Sequence, residues 1–162
     1  MNPCPCGHLG SRLRGCRCTP DQVARYQGRL SGPLLDRIDL HIEVAAIPAP
    51  ELLDAPAGEP SAAVRERVRL ARERAIARQG QPNQALAGQL IDRHVALDPD
   101  GSALLQKASA KFGWSARSTH RMLKVARTIA DMAASASVQA SHVAEAMQYR
   151  RTLDTQAAVA RD

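Results

Sequence analysis

Hydrophobic positions along the chain follow two different periods. Ile38, Leu40, Ile42 and Val44 alternate with Asp39, His41 and Glu43, and this period of two predicts a strand over residues 38–44. A lone strand leaves its backbone groups unpaired, so this one needs partners that the surrounding sequence does not supply. Upstream, Thr19-Pro20-Asp21 reads as a helix start, with Thr19 as N-cap, Val23 and Tyr26 at helical spacing and an end near Gly28. Pro48, Pro50, Pro56 and Pro60, with Gly58 among them, predict a linker over 48–60 that separates residues 1–47 from a helical region over 61–151.

Within that region the period is helical throughout. Val64, Val68, Ala71 and Ala75 form a narrow apolar stripe on a first helix, which Gly80-Gln81-Pro82 stops. A second helical stretch begins at Asn83 and carries Leu86, Leu90 and Ile91. Asp98 as N-cap with Pro99 behind it opens a third, with Leu104, Leu105 and Ala108 inward and Phe112-Gly113 closing it. Ser115 caps a fourth, in which Met122, Val125, Ala126 and Ile129 repeat at i, i+3, i+4 and i+7, and Ser141 caps a fifth with Val143, Ala144 and Met147 inward. After Arg151 the sequence turns polar and Ala-rich, and 152–162 is expected to be a frayed end.

Composition sharpens this picture at three points. Hydrophobic residues make up 44% of the chain and aromatic ones only 2%, so the core is built from Ala, Leu, Val and Ile, as in packed helices. No run approaches the ~18 apolar residues of a membrane span and no secretory signal is read at the start of the sequence, so the expected compartment is the cytoplasm. The net charge is +6, and Arg65, Arg67, Arg69, Arg72, Arg74 and Arg78 crowd the first long helix against only Glu66 and Glu73. Such a basic rod suits phosphate backbones, with Arg65, Arg69, Arg72 and Arg78 as the candidate nucleic-acid contacts, but a solvated arginine face gives the same pattern.

All four cysteines fall within the first eighteen residues, as Cys4-Pro5-Cys6 and Cys16-Arg17-Cys18. In a reducing compartment a local cluster favours metal or free thiols over disulfides. Two readings stand: a tetrahedral Zn²⁺ held by Cys4, Cys6, Cys16 and Cys18, with His8 as a substitute ligand, or a loop ordered by Gly and Pro with reduced thiols. The C-x-C spacing is tighter than the usual C-x-x-C of structural zinc. No HExxH, no Ser-His-Asp order and no paired carboxylates on a helix face mark a self-contained catalytic centre.

Four strings carry a resemblance. Met1-Asn2-Pro3-Cys4-Pro5-Cys6-Gly7, the Cys16/Cys18 pair, the run Arg29-Leu30-Ser31-Gly32-Pro33-Leu34-Leu35-Asp36-Arg37-Ile38-Asp39-Leu40, and Ser115-Ala116-Arg117 followed by Leu123–Asp131 resemble the C-terminal third of magnesium-chelatase-like AAA+ ATPases of the ComM/YifB type. Order and spacing agree from Met1 to about Arg151. The resemblance implies a mainly α chain, with a remnant of an α/β AAA+ core (one helix and one strand after a Cys-rich loop) followed by a helical lid bundle. It further implies a hexameric ring using ATP and Mg²⁺ and acting on DNA, with branch migration in natural transformation as the family role. Asn2 then takes the place of the sensor-1 residue, Arg37 that of the arginine finger presented across a subunit boundary, and Arg117 that of the sensor-2 arginine, which also binds nucleotide.

Read without the resemblance, Arg37 beside Asp36 and Asp39 is an ion pair at a strand start, and Arg117 an ordinary exposed helix residue. No G-x-x-x-x-G-K-[ST] loop and no strand ending in Asp-Glu occur in the 162 residues, so this chain alone is expected to hold no triphosphate and to be inactive. It reads as a fragment of a longer frame or as a complementing subunit. The other classes to weigh against an ATPase portion are a zinc-stabilised nucleic-acid-binding module and a helical interaction domain without chemistry.

Overall fold

A computed structural model describes residues 1–35 and 37–150, and the tail over 152–162 lies outside them. It resolves into two compact units, one within residues 1–58 and one within 59–150. Among the described residues there are eight α-helices and one 3₁₀ turn, and the chain is mainly α.

The first unit opens on the cysteine loop, which runs directly into α1 (Pro20–Gln27). Thr19 accepts the Gln22 N–H while the Gln22 side chain accepts the Thr19 N–H, a reciprocal capping box that fixes where the helix starts. A single turn, α2 (Gly32–Leu35), and α3 (Ala49–Asp54) follow. α3 lies within the stretch read as linker, with Pro50 in its first turn where a missing N–H does no harm.

The strand over 38–44 does not form. Residues 38–48 have no regular structure, and Ile42 and Val44 are 68% and 87% exposed. Alternation marks a segment able to line one face of a sheet, but a ladder needs a second strand, and none of the described residues provides it.

The second unit is a helical bundle of α4 (Ser61–Gln79), a 3₁₀ turn (Asn83–Ala85), α5 (Gln89–His94), α6 (Pro99–Phe112), α7 (Ala116–Met132) and α8 (Ala140–Gln148). α7 is its centre and packs against α4, α5, the 3₁₀ turn and α8, while α6 packs against α8. The core joins Leu86, Ile91, Val95, Leu105, Met122, Leu123, Ala126, Ala130, Val138, Val143 and Ala146. Burying a Leu, Ile, Val or Met side chain contributes about 1.5–3 kcal/mol, so this cluster is the main source of the unit's stability.

Local signals set the helix starts. Asp98 caps α6 by accepting the Gly101 N–H at 2.6 Å, and Ser115 caps α7 by accepting the Ser118 N–H at 3.2 Å. Gly80 and Gly113 end α4 and α6 in the left-handed region, at φ 73° and 61°. α8 begins earlier than Ser141. Its cap is Gln139, whose N–H is accepted by His142 Nδ1 at 3.0 Å, and Ala144, expected inward, is exposed while Ala146 is buried.

α4 departs from its predicted stripe. Only Ala71 and Ala75 are buried, and residues 61–70 are exposed all round, Val64 and Val68 included. Small side chains at 71 and 75 let the C-terminal half of α4 approach α7 closely, whereas the N-terminal half is exposed among the described residues.

Candidate metal centre and arginine positions

The cysteine loop folds by two tight turns. Gly7 donates its N–H to the Cys4 carbonyl at 3.0 Å and Ser11 to that of His8 at 3.1 Å. Gly7 and Gly10 sit at φ 80° and 76°, a backbone region that only glycine enters without strain. These turns, with the returning segment of residues 16–18, bring four sulfurs together. Cys4 Sγ lies 3.4 Å from Cys6 Sγ and 3.7 Å from Cys16 Sγ, Cys6 to Cys16 is 3.7 Å, and all four sulfurs fall within 4.8 Å of one another. Cys4 is fully buried and the other three are partly buried. His8, the substitute ligand, is not part of this cluster.

Backbone N–H groups point at the sulfurs. Those of Arg17 and His8 hold the Cys6 thiol down at about 6, against the opposing effect of desolvation. Burial raises Cys4, but the Leu9 N–H and the neighbouring Cys16 and Cys18 thiols outweigh it and leave Cys4 below the ordinary range. Cys18 accepts the Cys6 N–H, yet desolvation and the adjacent sulfurs of Cys6, Cys4 and Cys16 push it up to about 12. Cys16 is raised likewise, although it accepts the Cys18 N–H at 3.4 Å. Cys4 and Cys6 are eased towards the thiolate while Cys16 and Cys18 are held back, so the four titrate as a set.

The sequence-predicted arginines divide. Arg65 and Arg72 are exposed on α4, seven residues apart and so on one face. Arg69 lies between them but is bridged by Glu66 at 2.6 Å and Glu73 at 2.5 Å. Arg78 is turned to the opposite side, where it meets the buried Asp131 at 2.5 Å and Asn83 at 2.8 Å. That pairing commits Arg78 to the bundle. Arg117 is exposed in the first turn of α7, a turn that carries no acidic residue. Asn2 and Arg37 are exposed in the first unit: Asn2 stands beside Gly7, and Arg37 in the turn after α2, its N–H on the Leu34 carbonyl at 2.9 Å.

One cluster escaped the sequence reading. Arg127 and Asp131, only 1% and 2% exposed, pair at 3.0 Å on the inner face of α7. Arg127 also donates to the carbonyls of Ser135 and Ala136, at 2.5 and 2.9 Å. Asp131 accepts in addition from Arg78 and from Asn83 Nδ2 at 2.8 Å, and Arg74 donates to its carbonyl at 2.7 Å. The available signal was an Arg and an Asp four apart beside the buried positions 123, 126 and 130.

In the chain, the cysteine loop precedes a helical bundle whose central helix carries Arg117 in its first turn. Residues 58–150 match the family described as magnesium chelatase, subunit ChlI C-terminal, and residues 1–52 match magnesium chelatase, subunit ChlI. The chain belongs to the magnesium chelatase ChlI C-terminal family. It is 43% identical over 152 residues to YifB of Salmonella typhimurium and 44% identical over 151 residues to the competence protein ComM of Haemophilus influenzae. Each match covers 93% of this chain and 29% of the relative, so the chain spans under a third of their length. Among the described residues no helix is long and apolar enough to cross a membrane.

Proposed function

We propose that this chain supplies the C-terminal part of a AAA+ ATPase of the magnesium-chelatase-like type: the end of an α/β core, and a helical lid that closes on nucleotide. The observation that carries the reading is Arg117, exposed at the N-terminal end of α7 with no acid in the turn. A helix N-terminus already carries partial positive charge and unpaired N–H groups, so an arginine there suits a phosphate. ATP and Mg²⁺ are then held mainly by a phosphate loop outside these 162 residues. Arg37 reaches the nucleotide of a neighbouring subunit in a ring, and Asn2 helps hold the attacking water.

The test is a graft. This chain replaces the matching segment of the Haemophilus relative, and ATP turnover is measured beside that of the chain alone. The graft is expected to hydrolyse ATP and the chain to give background only. Turnover by the chain alone that Arg37→Ala abolishes would overturn the reading, as would a folded, ATP-binding graft that turns over none.

DNA is the proposed substrate of the ring, and the exposed arginine face of α4 its candidate contact. Arg65 and Arg72 carry that role, with Arg69 braced beside them by Glu66 and Glu73. Binding is expected to be weak, indifferent to sequence and steeply salt-dependent, because phosphate neutralisation releases counterions. Replacing Arg65 and Arg72 together with Gln is expected to shallow the log-log salt slope by about one to two. No binding at low salt, or an unchanged slope, would make this face a solvated one.

A further inference from the structure

We propose that Cys4, Cys6, Cys16 and Cys18 form a closed, structural zinc centre that locks the segment carrying Asn2 onto the start of α1. Three observations converge on it. The first is the shape of the sulfur cluster. Zinc–thiolate bonds of about 2.3 Å in tetrahedral geometry place sulfurs about 3.8 Å apart. The measured separations are 3.4, 3.7 and 3.7 Å, with the fourth sulfur within 4.8 Å of the others. Disulfides would instead draw two pairs to about 2.05 Å and leave the pairs apart. Three of the separations match those of a tetrahedral site, and the fourth sulfur is close enough to complete it.

The second is charge. Four thiolates around Zn²⁺ carry two net negative charges, which a protein must offset. Residues 1–19 contain Arg12, Arg14 and Arg17 and no Asp or Glu. Backbone N–H groups add to this, the Cys18 N–H on Cys16 Sγ among them. An acid-free loop suits a dianionic centre.

The third is connectivity. Each C-x-C pair ends at an anchored element. Cys18 adjoins Thr19, the N-cap of α1, while Pro3 beside Cys4 accepts a hydrogen bond from Gln27 Nε2 at 3.0 Å, at the other end of the same helix. A Cβ on Gly7 would lie 3.5 Å from Asn2 Nδ2, so the turn after Cys6 abuts Asn2 directly. With all four positions taken by sulfur no site is open to water or substrate, which makes the centre structural rather than catalytic. On binding, the thiols release their protons to solvent and no oxidation occurs.

The experiment uses the full chain, purified under reducing conditions with zinc in the growth medium. Metal content by plasma mass spectrometry is expected at about one zinc per chain. Replacing the zinc with Co²⁺ should give the intense visible absorption of a tetrahedral tetrathiolate site. His8→Ala is expected to keep the metal, whereas Cys16→Ser with Cys18→Ser should lose at least nine-tenths of it. Chelation should speed hydrogen exchange over residues 1–28 and leave exchange in α6 and α7 unchanged, a readout independent of whether the cysteine variant folds. Zinc below a tenth of an equivalent, with four thiols reacting freely in its presence, would overturn the proposal. So would a cobalt spectrum of octahedral type, or exchange over residues 1–28 that does not respond to chelation. None of these results bears on ATP turnover, so the centre and the ATPase reading fail separately.

Discussion

Replacing Asp131 with Ala is expected to destabilise the helical bundle by about 3–5 kcal/mol, because it strands the buried Arg127 guanidinium without its counter-ion. Asp131 accepts from Arg78, Asn83 and Arg127. Arg78 is 24% exposed and can turn to water once released, but Arg127 is 1% exposed and cannot. Domains of this size are stable by only about 5–15 kcal/mol, and each kcal/mol moves the melting temperature by about 4–8 °C, so a drop of about 12 °C or more is expected. Joint replacement by Arg127→Met and Asp131→Leu removes both charges and should recover much of the loss, since a buried pair is often no better than well-packed apolar groups. A single variant within about 1 kcal/mol of the parent by urea unfolding would contradict this account.

The pH dependence follows from the same pair. Burial raises the Asp131 carboxyl, but hydrogen bonds from Arg78 and Asn83 and the charges of Arg127 and Arg78 outweigh it and hold the group below the ordinary carboxylate range. A carboxyl depressed in the folded state contributes stability that is complete above its unfolded value near 4. That contribution is lost as pH falls below it through the folded value.

Arg37→Ala in the graft is expected to lower ATP turnover by ~10³ or more while ATP affinity changes little. An arginine finger stabilises charge that develops on the transferring phosphate, and it is not needed to hold the ground state. Arg37 is exposed in the turn after α2. Arg117→Ala should behave differently, because a lid arginine contacts nucleotide in both states and its loss weakens binding as well as turnover. If Arg37→Ala raised KM and left kcat unchanged, the finger assignment would be wrong.

What was legible in the sequence was local. Thr19, Asp98 and Ser115 announce their helices because a cap acts within three residues of itself, and the glycines at 80 and 113 announce their ends for the same reason. The cysteine cluster was legible too, since two C-x-C pairs ten residues apart need only turns to meet. The strand over 38–44 was misread because pairing is settled by a partner elsewhere. Ser141 carries the hydroxyl that usually caps a helix, whereas Gln139 and His142 close the box instead. Among the basic residues, the bracing of Arg69 by Glu66 and Glu73 lay in plain view at i,i+3 and i,i+4. Arg78 could not be sorted the same way, because Asp131 is fifty-three positions distant.

The most direct test of whether this chain completes a neighbour's nucleotide site is a subunit-mixing measurement. Two graft proteins are prepared, one with Arg37→Ala and one with the lysine of the relative's phosphate loop replaced, and ATP turnover is followed for each alone and for their mixture. Each alone is expected to be silent. The mixture should regain turnover, because an intact Arg37 on one subunit then faces an intact phosphate loop on the next. A mixture as silent as its parts, although rings of both subunits form, would contradict the claim that Arg37 acts across a subunit boundary.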